Sequence, residues 1–118
     1  MSKIQQLCEA VGGDYKELMQ RLVSEDFVAR FAVKFLSDDT YNQLKHALAA
    51  KDAESAFRAA HTLKGVAQSL GFGNLGRSAS VLTEVLRQKK LDGTTQLFAD
   101  VTADYDNVIA SIKSILLQ

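Results

Sequence analysis

The sequence predicts an all-α domain, and three observations lead there. The chain contains no proline, the residue that interrupts helices and marks sheet edges. Apolar residues recur at spacings of three and four along most of its length, which is the period of a helix face and not of a strand. No stretch alternates cleanly between apolar and polar, and Asp92-Gly93, which can mark a hairpin, is flanked by helical patterns instead.

The elements follow in order. Residues 14–22 open on Asp14 as a helix cap and place Leu18, Met19 and Leu22 on one face. After Ser24, a second cap, a Phe-rich segment carries Phe27, Val28, Phe31, Ala32, Phe35 and Leu36 at helical spacing. Asp38 or Asp39 starts the next helix, with Tyr41, Leu44 and Leu48 on one side. Asp52 caps a fourth, from Ala53 to about Leu70, closed by Gly71 and Gly73. Asn74 caps a fifth with Leu75, Ala79, Leu82 and Leu86 in register, and Gly93 breaks the chain after it. A last long helix carries Leu97, Val101, Tyr105, Val108, Ile112 and Leu116. The three long C-terminal helices and the Phe-rich segment predict an antiparallel four-helix bundle over residues 24–118, with short additional N-terminal helices over residues 1–23.

Composition narrows the function. A chain of 118 residues is one domain, with enough apolar surface to bury a core without disulfide or metal staples. Its 14 basic and 14 acidic side chains cancel, which argues against a nucleic-acid or membrane-surface binder. A lone Cys8 can form no internal disulfide. No apolar run reaches the roughly 18 residues of a membrane span, and the N-terminus lacks the apolar stretch of a secretion signal. A cytoplasmic, monomeric protein is expected.

One helix carries an odd face. At about 100° per residue, Ala56, Ala59, Leu63, Val66, Ala67 and Leu70 form a broad apolar stripe. His61 lies on the opposite side with Glu54, Phe57, Arg58, Lys64, Gly65 and Gln68, so it is expected to face outward. Gly65 costs about 1 kcal/mol relative to Ala in a helix interior. It stands one turn after His61 and clears space beside the imidazole, while Lys64 brings an ammonium to that space. An exposed imidazole, an open approach and a cation suit an anion arriving on the histidine.

What is missing narrows the chemistry further. There is no readable catalytic triad, carboxylate pair, metal-ligand spacing or Gly-rich phosphate loop. An imidazole can still act alone as a nucleophile and carry a phosphoryl group, provided a partner protein brings the remaining machinery. Lys64 would then offset negative charge on the phosphoryl oxygens.

Ala60-His61-Thr62-Leu63-Lys64-Gly65, followed by Leu70-Gly71-Phe72 and Leu75, resembles the signature of histidine-containing phosphotransfer (HPt) domains of two-component phosphorelays. The resemblance implies a four-helix bundle whose outward histidine takes a phosphoryl group from a receiver-domain aspartate or a sensor kinase and returns it to another receiver. His61 falls on the phosphoacceptor position, Lys64 on the supporting cation and Gly65 on the small residue beside the imidazole. Gln68 falls where a polar side chain often lines the same face. Family members often have Leu-Glu where this chain has Leu82-Thr83, with Glu84 one position later. Magnesium is expected on the partner receiver, and no cofactor on this chain.

Charge supports a docking role. From Phe57 to Lys90 the chain has Arg58, Lys64, Arg77, Arg87, Lys89 and Lys90 against Glu84 alone, a basic surface suited to an acidic receiver site. Arg58, Gly71 and Arg77 are expected at that interface, with Phe57 and Phe72 supplying apolar contact where they are exposed. Other residues have plainer readings. His46 stands alone as a structural or surface residue, the Phe27, Phe31 and Phe35 row reads as core, and Cys8 as a small hydrophobe. Arg87, Lys89 and Lys90 read as a solvated helix end.

The chain has no room for an ATP-binding domain, so it reads as a phosphocarrier and not a self-sufficient kinase. Two rivals stay open at this level. One is a non-catalytic adaptor that docks receivers without phosphotransfer. The other is a helical metal or small-ligand carrier, which would need further donors converging on His61, whereas Glu54 is two turns away.

Overall fold

The start of most helices is set by a short polar side chain. Ser2, Asp14, Ser24 and Asp52 occupy N-cap positions, where their oxygens accept the backbone N–H groups of Gln5, Glu17, Phe27 and Ser55, donors that no helical carbonyl can reach. The computed structural model describes residues 1–118 and contains seven helices and no strand. They are α1 (Lys3–Val11), α2 (Tyr15–Leu22), α3 (Glu25–Phe35), α4 (Thr40–Ala49), α5 (Ala53–Ser69), α6 (Gly73–Arg87) and α7 (Thr94–Leu116). The predicted all-α helical bundle is therefore present.

Helices α4, α5, α6 and α7 pack as successive neighbours, and α1 lies along α7. The sequence counted the Phe-rich segment as the fourth bundle helix; α4 packs beside α5, while α3 makes lighter contact with α1, α2 and α7. Only one face of α3 is needed for that contact. Val28, Ala32 and Phe35 are buried, whereas Phe27 and Phe31 meet at a tilt, with centroids 4.5 Å apart, on the surface, so these two are not core as expected.

Aromatic rings knit the elements across the bundle. Phe72 meets Phe35 edge-on at 5.2 Å, Phe35 meets Tyr105 at 5.8 Å, and Tyr105 stacks on Tyr41 at 4.0 Å. Tyr41 stacks on Phe98 at 5.6 Å and shares a 2.8 Å hydrogen bond with Thr102, which ties α4 to α7. Such pairs contribute about 0.5–1.5 kcal/mol each beyond the area they bury. The N-terminal helices are joined by Glu25, whose carboxylate accepts the hydroxyls of both Tyr15 and Ser2. Those two donors hold its carboxyl below the ordinary carboxylate range. Cys8 sits in the core, where burial pushes its thiol up.

The α5–α6 turn departs from the predicted boundaries. Gly71, in the left-handed region at φ 78°, stops α5 as expected, but Gly73 opens α6 instead of closing α5, and the N-cap is Phe72. Asn74 lies inside the helix and accepts a 2.6 Å hydrogen bond from Arg77 instead of capping. The cause is tertiary. The α1–α2 turn, Gly12-Gly13, crosses this turn backbone to backbone, so that a Cβ at Gly13 would overlap the carbonyl oxygen of Gly71 and one at Gly73 that of Gly12. Gly73→Ala is therefore expected to lower stability by about 1–3 kcal/mol, the usual cost of overfilling a tight contact. Urea unfolding followed by circular dichroism measures it, and an unchanged midpoint would show that the turns can part freely.

Candidate functional site

Helix α5 is anchored at both ends. Asp52 accepts the Ser55 N–H at 3.1 Å and its hydroxyl at 2.7 Å, and these bonds hold the Asp52 carboxyl below its ordinary value. At the other end Arg21, reaching from α2, donates to the carbonyls of Ser69 (2.9 Å) and Gln68 (3.2 Å) while its Nε pairs with Glu17 at 2.7 Å. A guanidinium on the last carbonyls adds a charged donor there and complements the helix dipole.

Between these anchors the inner face is made mostly of alanines. Ala56, Ala59, Ala60, Leu63 and Ala67 are all buried, and α6 comes close enough that a Cβ on its Gly76 would press on the Gln68 side chain at 3.1 Å. With that stripe turned inward, His61, Gly65, Gln68, Glu54 and Arg58 are exposed, and Phe57 and Lys64 are half-buried along the edge of the same face. A Cβ on Gly65 would meet no atom within 4 Å. The glycine is thus not required by packing, and the surface beside the histidine is open.

The imidazole of His61 makes no side-chain hydrogen bond; what touches it is the ring of Phe57, one turn earlier, with centroids 5.9 Å apart and planes 14° from parallel. The Arg87 guanidinium of α6 lies 5.0 Å from the centroid of the same ring and pairs with Glu84 at 3.2 Å. Thr83 is fully buried and donates to the carbonyl of Ala79 at 2.7 Å. Neither position 83 nor 84 therefore offers a carboxylate to the imidazole. Lys64 is in no ion pair, so its ammonium is available at the exposed edge of the site.

The residues expected at a docking surface divide. Arg58 is exposed but paired with Glu54 at 3.1 Å, which trims the basic surplus counted from Phe57 onward. Phe57 is half-exposed beside the histidine. Phe72 is 0% exposed and belongs to the aromatic core, so it is no surface contact. Gly71 is a half-buried turn residue over the Leu18 side chain. Arg77 is exposed near the glycine turns, bonded to Asn74. Two contacts escaped the sequence reading, the Arg87 cation on Phe57 and the Arg21 cap. The spacing of Phe57 and His61 was a usable signal for the stack, because residues four apart meet on a helix surface.

His61 lines none of the five surface clefts, whereas small-molecule sites are concave. No three His, Cys, Asp or Glu side chains converge to hold a metal ion. The site is an open protein surface with an exposed imidazole on it. The family model described as the Hpt domain matches residues 36–111, more than half of the chain, and takes in α4, α5, α6 and most of α7. The chain belongs to the Hpt domain family. Membership gives this Hpt domain a phosphotransfer role in two-component signalling, in which such domains meet receiver domains and kinases. No curated protein and no solved structure matches it significantly. No helix is long and apolar enough to cross a membrane.

Gly65→Ala is expected to stabilise the domain by about 0.5–1 kcal/mol, since the position is helical, open and free of any contact that a methyl group would violate. Thermal unfolding of the variant checks this, and a lower melting temperature would mean that the space is used in the folded chain.

Proposed function

We propose that His61 is the phosphoacceptor and that the domain relays a phosphoryl group between a receiver-domain aspartate, or a sensor kinase, and a second receiver. The observation that carries the reading is the outward His61 on α5 with Lys64 and the contact-free Gly65 beside it. The unprotonated imidazole nitrogen attacks the phosphorus of an aspartyl phosphate. A nitrogen–phosphorus bond forms as the bond from phosphorus to the carboxylate oxygen breaks, and the aspartate leaves as a carboxylate. No proton has to be taken from the attacking nitrogen, which explains why no general base is needed beside it. The return step is the same exchange reversed onto another receiver.

Each neighbour has a part. Lys64 offsets charge on the phosphoryl oxygens in flight. The missing side chain at Gly65 lets the partner's acidic site close over the imidazole, and Gln68 lines the same approach. Magnesium belongs to the receiver, where carboxylates would hold it. Phe57 and the cations Lys64, Arg77, Lys89 and Lys90 fit an acidic, partly apolar receiver surface. The domain acts as a monomeric phosphocarrier in the cytoplasm, with no nucleotide site of its own.

His61→Gln is expected to abolish acid-labile labelling by a radiolabelled phosphoreceiver while helicity by circular dichroism stays unchanged; label retained by the variant would remove His61 from the role. Lys64→Ala should slow transfer about 10–100-fold, equivalent to about 1.4–3 kcal/mol of lost charge stabilisation. Rapid-quench kinetics with the same receiver measure the change, and a wild-type rate would exclude Lys64 from the reaction.

A further inference from the structure

The imidazole of His61 stands on the surface with no hydrogen bond to orient it. Position 83, on the neighbouring helix, is a threonine turned into the core, its hydroxyl spent on the carbonyl of Ala79. The neighbouring carboxylate, Glu84, is occupied with Arg87. A nucleophile free to swing about two torsions would meet an in-line phosphoryl group in only a fraction of its orientations.

One contact limits that freedom. The Phe57 ring lies 5.9 Å from the imidazole and within 14° of parallel to it. Phe57 can act as a platform because it is itself held. Its ring packs against the hydrophobic core, the Arg87 guanidinium lies 5.0 Å from its centroid, and Glu84 holds Arg87 from the same helix. The order of contact runs Glu84, Arg87, Phe57, His61, from α6 across to α5.

We infer that Phe57, clamped by Arg87, is a positioning residue that fixes the plane of the His61 imidazole for phosphoryl transfer. This rests on the reading of His61 as phosphoacceptor. Stacked rings prefer near-parallel offset geometry, so the platform favours those imidazole rotamers that keep the ring edge, and with it the attacking nitrogen, directed to solvent. Arg87 adds its cation to the same ring through the aromatic quadrupole. A docking role for Phe57 would act on receiver affinity; a positioning role acts on the rate within the complex.

Four chains separate these roles: wild type, Phe57→Leu, Phe57→Tyr and Arg87→Gln. Each is mixed with a receiver domain charged by radiolabelled acetyl phosphate, and single-turnover transfer is followed against receiver concentration. The His61 ring protons of each free chain are observed by NMR, which reports the stack without any phosphotransfer. Phe57→Leu is expected to lower the limiting rate about tenfold, the effect of losing one aromatic contact, beyond any rise in the half-saturating receiver concentration that its share of the docking surface produces. The upfield ring-current shift of His61 should disappear with it. Phe57→Tyr should restore both, and Arg87→Gln should lower the rate by a smaller factor in the same direction. A wild-type limiting rate in Phe57→Leu, or a change confined to half-saturation, overturns the inference while leaving the phosphoacceptor reading intact. A wild-type chain that takes no label overturns both.

Discussion

The rotational setting of α5 is the constraint on which the rest of the structure depends. Its inner face is built from Ala56, Ala59, Ala60 and Ala67 around Leu63, and the small alanine side chains let α4 and α6 come close on either side. Close approach leaves little freedom to roll, because turning the helix by one residue would push His61 or Gln68 into a space sized for alanine. The direction of the histidine is therefore a by-product of packing. No local contact has to hold His61 outward, since the buried stripe does so from behind.

The ends of α5 are held by different physics. A carboxylate and a hydroxyl define the start, and a guanidinium from α2 closes the end. Beyond that end the two glycine turns cross with their backbones in contact, and Phe72 drops from the turn into the aromatic file that reaches Phe98. The scaffold is thus closely packed at the ends of α5 and sparing on the outward face beside His61. Gly65 is the clearest case. Helix propensity argues against it and no contact inside the chain asks for it, which is why the proposed function looks to the open space beside the imidazole for its reason.

Much of this could be read along the chain. Asp14, Ser24 and Asp52 signal helix starts through their own hydrogen bonds to residues three further on, and the α5 stripe follows from spacing alone; both are local. What could not be read depends on chain segments far apart. Asn74 has the chemistry of a cap, but the crossing of Gly12-Gly13 over Gly71-Phe72-Gly73 starts α6 earlier and leaves Asn74 to Arg77. Phe27 and Phe31 share the helical period of Phe35, yet α3 buries only one side and leaves them in solvent. Phe72 looked available beside the histidine motif, because nothing in the spacing tells that Phe35 waits for it inside. In the candidate site, the shared outward face of His61, Lys64, Gly65 and Gln68 was legible from one helix, whereas the Arg87 contact on Phe57 needed α6 folded against it.

The Arg21 cap also bears on where this domain begins as a cooperative unit. The segment matched by the family model opens at residue 36, but a chain cut there would lose the guanidinium on the last turn of α5. It would lose Phe35 from between Phe72 and Tyr105, Leu18 from beneath Gly71, and the whole of α1 from the flank of α7, where Asn107 bonds the carbonyl of Ala10. Such a fragment would carry every residue of the site on a helix with one end frayed and a core open on one side. The unit that folds is longer than the unit that is recognised.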